Sequence, residues 1–319
     1  MNLLFITSNR VGDAILSMGL LSALAARHPD ARITVVCGPL PAPLFAHHPG
    51  VVRVLPLAKR RYGLHWLDLW RQIAGGFWHT VVDLRNSLIG FTVPRLWLIR
   101  LGRHRADRHV VEEESALLGE DRPTPPRLYL SKAQMAEAAA VVPADRPILA
   151  LGPAANWIGK QWPAARFIDL AHRLTGPGGV LEGAAILVSA AEHERPVAGP
   201  VLDAFDGQQT IDMIGADLPS TAAALASCRL YIGNDSGLMH MAAAVGTPTL
   251  GLFGPTDDRR YRPWGEQCDF VRAPQDWREL IAAVDSGAVP GDRLMDGVTV
   301  EMVQEAAEAL LARMETVRG

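Results

Sequence analysis

Residues 230–254 read Leu-Tyr-Ile-Gly-Asn-Asp-Ser-Gly-Leu-Met-His-Met-Ala-Ala-Ala-Val-Gly-Thr-Pro-Thr-Leu-Gly-Leu-Phe-Gly. An apolar run ends in a polar turn at 233–237, a helix of small residues follows, and a second apolar run closes the stretch. This order predicts strand, tight turn, helix and strand, the unit from which parallel α/β sheets are built. The turn places Asp235, Ser236 and the N–H groups of Ser236 and Gly237 at a helix N-terminus, which favours an anion.

Four residues of this stretch can take part in binding. The Ser236 hydroxyl can cap the helix or add a contact to an anion. Gly237 allows close approach of the backbone to a phosphate. The carboxylate of Asp235 suits the hydroxyl groups of a sugar, or the shaping of the turn, better than it suits a phosphate. His240 follows Ser236 by four residues, one helical turn, so it can face the same side. A histidine on an apolar helix is more often a core residue, and both interpretations of His240 stay open.

The alternation of strands and helices extends over both halves of the chain. Near-continuous apolar runs separated by helical segments are typical of parallel sheets covered on both faces. We therefore predict two α/β domains, residues 1–145 and 146–319, and expect that the helical run 300–317 can cross back onto the first. The predicted strands are 3–6, 32–37, 51–57, 80–84, 147–151, 184–189, 210–214, 230–232 and 249–253, and the predicted helices include 14–27 and four that begin near Pro163, Arg195, Ser220 and Ser236.

The composition is that of an ordinary globular chain, with 319 residues, of which 49% are hydrophobic and 20% charged. A net charge of −3 argues against a general nucleic-acid binder. The three cysteines are far apart, so we expect no disulfide framework, no zinc site and a reducing cytoplasm. No basic segment precedes the first apolar run, and no apolar run is long enough to cross a bilayer, so we expect a cytoplasmic chain without a signal peptide.

Residues 8–13, Ser-Asn-Arg-Val-Gly-Asp, follow the first predicted strand and precede the first helix. Ligands of open α/β sheets bind at the carboxyl ends of strands, so Asp13 lies where chemistry is expected. Asp13 can also simply cap the helix, a role in which Asp is favoured. The residues alone favour capping.

Residues 152–163, Gly-Pro-Ala-Ala-Asn-Trp-Ile-Gly-Lys-Gln-Trp-Pro, resemble a P-loop only superficially, because their spacing is longer and Gln161 replaces the Ser or Thr. The loop nevertheless joins a predicted strand to a predicted helix. Lys160 can therefore supply a compact positive charge to a diphosphate. Asn156 is the other polar candidate in the loop, since Ala154 and Ala155 carry no polar side chain.

Glu192 follows the predicted strand 184–189, at a strand end where a carboxylate can accept hydrogen bonds from ribose hydroxyls. It can equally be an ordinary acidic residue of a first helical turn. Asp257 and Asp258 form an adjacent acidic pair, which is weak evidence for a metal without further ligands, and we expect none.

Basic residues with interspersed tryptophans cluster in the first half of the chain. Any one of these arginines alone is best interpreted as a solvated surface residue. Together, the basic residues suit a phosphorylated, lipid-anchored ligand at an anionic leaflet. We predict that Arg60 and Arg61 bind such a ligand. The cluster comprises Lys59, Arg60, Arg61, Arg95, Arg100, Arg103, Arg105 and Arg108, with Trp66, Trp70 and Trp97.

The stretch at 231–246 closely resembles the signature of the bacterial lipopolysaccharide heptosyltransferases, family 9 of the glycosyltransferases. Gly12-Asp13, the Lys160-Gln-Trp-Pro163 motif, Glu192-His-Glu194 and the segment 109–114 are similar to further motifs of this family, so the resemblance covers nearly the whole chain. It implies the glycosyltransferase-B architecture, in which two doubly wound, Rossmann-like α/β domains face each other across a cleft.

The resemblance also implies an activity and roles for the residues. The activity is inverting, metal-independent transfer of heptose from an ADP-sugar to the inner core of lipopolysaccharide, a phosphorylated lipid-linked acceptor, without a cofactor and with possible peripheral contact with the inner membrane. Asp13 is then the general base and Lys160 stabilises the leaving diphosphate. Donor binding falls to Asn156, Glu192, Asp235, Ser236, Gly237 and His240.

Three alternatives remain open from the sequence. A member of the same family can use another nucleotide sugar for a different surface glycan. A sugar-nucleotide epimerase shares the architecture, although it needs a second catalytic carboxylate that we do not find. A non-catalytic sugar-nucleotide-binding subunit is the third alternative, and Asp13 argues against it.

Overall fold

The computed structural model describes residues 1–102, 107–120, 122–205, 210–288 and 290–318. The chain divides into two compact units, Met1–Tyr129 (unit 1) and Leu130–Gly319 (unit 2). The division falls before the predicted boundary at 145, because the helix Lys132–Val141 packs against the helix Leu218–Ala226 of unit 2.

Unit 1 is a parallel five-stranded sheet in the order β3-β2-β1-β4-β5. Its apolar core includes Leu4 and Ile6 of β1, Val36 of β2 and Val81 of β4. The strands are β1 Asn2–Ile6, β2 Arg32–Cys37, β3 Val51–Pro56, β4 Trp78–Asp83 and β5 Arg95–Arg100, and the helices are α1 Val11–Leu16, α2 Met18–Arg27, α3 Leu64–Ile73, α4 Ile89–Thr92 and α5 Val110–Ser115.

Unit 2 is a parallel six-stranded sheet in the order β11-β10-β9-β6-β7-β8. Its strands are β6 Ile148–Gly152, β7 Ala185–Ala190, β8 Thr210–Ile214, β9 Leu230–Asn234, β10 Thr249–Phe253 and β11 Cys268–Arg272. Its helices are α6 Lys132–Val141, α7 Ala164–Thr175, α8 Arg195–Asp203, α9 Leu218–Ala226, α10 Gly237–Ala244, α11 Asp258–Tyr261, α12 Trp277–Asp285 and α13 Val300–Arg318.

Helix α13 packs against α7, β10 and β11. Its residues Val303, Ala307 and Leu310 are part of the core of unit 2, so this helix completes the unit in which it lies.

Both sheets have the doubly wound order, in which the strand sequence reverses direction between two central neighbours. The reversal lies between β1 and β4 in unit 1 and between β6 and β9 in unit 2. In sheets of this kind, ligands bind outside the carboxyl ends of the two strands at that switch point. Ligand-binding segments are therefore expected after β1, β4, β6 and β9.

The structure corrects the predicted elements in three places. Strands β5 and β11 were not predicted, because both lie at sheet edges and are incompletely buried, so neither reads as a continuous apolar core strand. The single predicted helix 14–27 is two helices, α1 and α2, joined at Ser17.

Among the described residues, no helix combines the length and apolarity needed to cross a membrane.

Candidate active site

Asp13 lies in the first turn of α1, directly after the segment that leaves β1 at the switch point of unit 1. The residue at the N-cap position is Arg10, so Asp13 is not the cap of this helix. The Ser8 hydroxyl donates a hydrogen bond to Asp13 Oδ2 at 3.3 Å, and the Arg10 N–H donates to Ser8 Oγ at 3.1 Å. The carboxylate is therefore held by its own loop and is only half-buried, so it is accessible to solvent.

Glu114, on α5, is a buried carboxyl group that the sequence analysis did not single out. It is 6% exposed, and over the described ranges its Oε2 atom has no hydrogen-bond partner. Burial raises the pKa of Glu114 well above its ordinary value, and the negative charges of Asp13 and Glu113 raise it further. A neutral Glu114 removes a like charge from the neighbourhood of Asp13.

The Glu114→Gln variant is expected to become more stable relative to the wild type as pH rises. A raised pKa means that folding takes up a proton, so the stability that protonated Glu114 supports is lost as pH rises above the ordinary value of 4.5. The wild type loses about 1.4 kcal/mol of its free energy of unfolding for each pH unit between the pKa values of Glu114 in the unfolded and folded states. Glutamine does not titrate, so the variant does not undergo this loss. Thermal unfolding at pH 5 and pH 8 tests this, with exposed Glu137→Gln as control. A stability difference that stays constant with pH contradicts the expectation.

Lys160 and Asp235 form an ion pair at the switch point of unit 2. Lys160 ends a short 3-10 helix, Ile158–Lys160, after β6, and Asp235 directly follows β9. Lys160 Nζ donates to Asp235 Oδ2 at 2.6 Å, and the two side chains are 25% and 8% exposed. This contact explains why an acidic residue lies in a turn that otherwise suits anionic ligands, because the Asp235 carboxylate positions the Lys160 ammonium group. An ammonium group has three N–H donors, so Lys160 can hold Asp235 and a phosphate oxygen together.

Asn234 fixes the loop that carries Lys160. Its side chain is fully buried, accepts a hydrogen bond from the Trp162 N–H at 3.0 Å and donates one to the Pro153 carbonyl at 2.7 Å. Both ends of the loop are thereby attached to the end of β9. Asn234 was missed from the sequence, although it lies beside Asp235 in the signature.

Two glycines at the ends of β6 and β9 make room for Tyr231. A Cβ atom at Gly152 or at Gly233 would collide with the Tyr231 side chain. Tyr231 is completely buried, and this burial raises the pKa of its hydroxyl. The ring therefore fills the space under the two loops of the switch point.

The N-terminus of α10 lies next to this ion pair. Ser236 is its N-cap residue by backbone position, but within the described parts of the chain its hydroxyl makes no capping hydrogen bond. The N–H groups of Gly237, Leu238 and Met239 belong to the first turn, where a helix has no partners of its own. His240 is 5% exposed and lies one turn further along the helix.

Glu192 lies after β7, in a short 3-10 helix, and is engaged by Arg195. Both Glu192 carboxylate oxygens accept hydrogen bonds from the Arg195 guanidinium, at 3.1 and 3.2 Å, and Arg195 also binds Asp212 at 2.9 Å. Gly215, with a φ of +82°, leaves the space beside the Glu192 carboxylate. A ribose-binding role for Glu192 stays a prediction.

The remaining predicted residues lie at the surface or apart from the switch points. Asn156 is exposed in the loop before Lys160. Arg60 pairs with Asp68, and the Arg61 guanidinium lies 5.5 Å from the Tyr62 ring centroid. Asp257 and Asp258 pair with Arg259 and Arg272. Arg103 and Arg105 of the predicted basic cluster lie outside the described residues.

Two parallel α/β units with doubly wound strand orders form the B fold of glycosyltransferases, an architecture shared by solved heptosyltransferases. Residues 91–281 match the family model of glycosyltransferase family 9 (heptosyltransferase), and the chain belongs to this family. The predicted family and fold class are confirmed.

Three relatives are similar to the chain over nearly their whole length. Lipooligosaccharide heptosyltransferase 2 of Haemophilus influenzae is 26% identical, with 98% of this chain and all of that protein covered. The crystal structure of a family 9 glycosyltransferase from Veillonella parvula is 20% identical, with a TM-score of 0.83 and coverage of 98% and 97%. An E. coli heptosyltransferase solved with ADP-2-deoxy-2-fluoro heptose is 19% identical, with a TM-score of 0.72 and coverage of 97% and 99%.

Proposed function

We propose that this glycosyltransferase transfers heptose from an ADP-sugar to the inner core of lipopolysaccharide with inversion at the anomeric carbon. The observation that carries the proposal is the Lys160–Asp235 ion pair beside the N-terminus of α10, because it provides positive charge for a leaving diphosphate. The names of the relatives, which include lipopolysaccharide heptosyltransferases, support the sugar and the acceptor.

The proposed reaction is a single displacement. Asp13 takes the proton of an acceptor hydroxyl, whose oxygen forms a bond to the anomeric carbon as the bond to the diphosphate oxygen breaks. One displacement inverts the configuration at that carbon. ADP leaves with the electron pair, and Lys160 and the first-turn N–H groups of α10 stabilise its growing negative charge. Since these groups supply the positive charge, the proposed reaction needs no resident metal or cofactor.

The donor is tested with the purified chain and a panel of ADP-, GDP- and UDP-sugars, with a heptose-deficient inner-core acceptor. We expect transfer from ADP-heptose, and nuclear magnetic resonance of the product should show an inverted anomeric configuration. Preferred transfer from a GDP- or UDP-sugar supports instead the family member that builds another surface glycan. Retention of configuration contradicts the single displacement.

We also propose that the basic cluster of unit 1 contacts the phosphorylated acceptor at the inner membrane surface. Arg60→Ala and Arg61→Ala combined are expected to raise the KM for the acceptor and leave donor affinity unchanged. The difference from wild type should shrink as salt rises, since charges beyond a Debye length of about 8–10 Å are screened. Acceptor kinetics at low and high salt measure this.

The exposed Arg173, which pairs with Asp169, serves as the control for loss of a surface arginine. If the double variant has a wild-type KM at low salt, or if Arg173→Ala raises it equally, the two arginines have no specific role in acceptor binding.

A further inference from the structure

Unit 1 contains an apolar cavity of about 750 Å³ beside the switch point between β1 and β4. The volume is within the usual range of ligand sites. Trp66, Leu67 and Trp70 of α3 form one part of its wall, and Leu88 and Ile89 after β4 form another. None of the motifs that identify the family accounts for this cavity.

Three neutral polar side chains in the wall are already engaged within the protein. The Ser87 hydroxyl donates to Asp83 at 2.8 Å, the Thr92 hydroxyl donates to the Ile89 carbonyl at 2.9 Å, and the Trp70 indole N–H donates to the Thr92 carbonyl at 3.2 Å. A sugar ring would require several free donors and acceptors to replace its bonds to water. The wall therefore suits a hydrocarbon chain better than a sugar.

Arg85 is the charged residue of the wall. Its guanidinium lies 4.9 Å from the centroid of the Trp66 ring, and its Nη1 donates to Asn9 Oδ1 at 3.1 Å. Among the described residues, this is its only hydrogen bond through the side chain, so further N–H donors are available to a ligand. Burial lowers the pKa of Arg85, as expected for a partly desolvated cation. A cation in this setting favours an anionic group.

Large apolar side chains around the cavity are exposed to solvent. Leu88 is 77% exposed, Leu67 is 42% exposed and Trp70 is 39% exposed. A cluster of this kind on a protein surface marks a binding site more often than scattered apolar residues do. An occupant that covers these side chains removes apolar surface from water.

We propose that this cavity binds an acyl chain of the lipid-linked acceptor, with Arg85 as the partner of an anionic group near that chain. The proposal rests on the proposed function, since it assigns the acceptor's lipid part to a site. The proposal is based on two matches. The apolar wall, with its engaged polar side chains, matches a hydrocarbon chain, and the Arg85 cation matches a negative charge on the ligand.

Alkyl phosphates of increasing length, from ethyl to octyl and kept below micelle formation, provide the first test. Calorimetry with the full chain is expected to show that Kd falls about fourfold for each methylene that the cavity covers. A Kd that does not change with chain length, or binding that appears only with micelles or anionic vesicles, overturns the proposal, because it shows an anion site or surface adsorption.

Leu67→Asn and Leu88→Asn combined provide the second test, since both residues are exposed and their replacement leaves the core intact. The double variant is expected to bind octyl phosphate at least tenfold more weakly and ethyl phosphate unchanged. Phe77→Asn is the matched control, because Phe77 is 60% exposed in the same unit and does not line the cavity. Equal weakening by Phe77→Asn overturns the proposal.

Heptose transfer to acylated and fully deacylated acceptors separates this proposal from the proposed function. We expect the double variant to raise the KM for the acylated acceptor alone. Transfer that is equally efficient with both acceptors in the wild type overturns the acyl-chain site and leaves the transferase function standing. Length-dependent binding of alkyl phosphates without any heptose transfer overturns the acceptor assignment together with the proposed function.

Discussion

Replacement of Asp13 by asparagine is expected to reduce the rate of sugar transfer by about 10²–10⁴-fold, the usual contribution of a general base. Asparagine has the same size and keeps an oxygen that can accept the hydrogen bond from the Ser8 hydroxyl. It cannot take the proton of the acceptor. The side chain is therefore expected to stay in place while the chemical step is lost, so donor affinity should change less than threefold.

The measurement is initial-rate kinetics with a heptose-deficient acceptor, together with calorimetry of donor binding. Asp30→Asn is the control, since Asp30 is exposed. If the Asp13 variant transfers sugar within threefold of the wild-type rate, Asp13 is a structural residue of α1. If donor binding is lost with the rate, the loop has been disturbed and the result does not reflect proton transfer.

Replacement of Lys160 by methionine is expected to weaken ADP binding at least tenfold and to lower kcat by about 10²–10³-fold, as for the loss of one donor to a developing charge. Methionine retains much of the length and apolar character of the side chain. What disappears is the ammonium group, which the structure holds 2.6 Å from Asp235. The charge on the diphosphate grows as the bond to the sugar breaks, so the effect on kcat should exceed the effect on binding.

Calorimetry with ADP and single-turnover kinetics measure the two effects separately. Lys132→Met is the control, because Lys132 is exposed at the start of α6. Asp235→Asn keeps a hydrogen-bond acceptor for Lys160 and should lower kcat less than Lys160→Met does. Wild-type ADP affinity together with a wild-type rate in the Lys160 variant excludes the lysine from the site. Thermal unfolding identifies any loss caused only by leaving the Asp235 carboxylate without its cation.

The sequence predicted the parts of the site that short segments specify. A strand followed by a polar turn and a helix is a local pattern, so the positions of Asp13, Lys160 and Asp235 after β1, β6 and β9 followed from it. The doubly wound order then explains why Lys160 and Asp235 lie together. The strands that precede them, β6 and β9, are neighbours in the sheet, although the two residues are 75 positions apart in the chain.

The parts that the sequence did not reveal depend on distant partners. Asn234 matters because it contacts Pro153 and Trp162, and no local pattern indicates that contact. Glu114 is one of three successive acidic residues, and only the packing of α5 against α2 distinguishes the buried ones. Arg195 was regarded only as a helix start, while the structure shows it binding Glu192 and Asp212.

The shared space of Tyr231, Gly152 and Gly233 has a consequence for how the sequences of related proteins diverge. A side chain at either glycine collides with the tyrosine ring, so neither position can accept alanine alone. A smaller residue at 231 would release the space but leave a cavity under both loops. We therefore expect these three positions to change together during evolution, with an enlargement at 152 or 233 accompanied by a reduction at 231, so that drift here proceeds by compensated pairs.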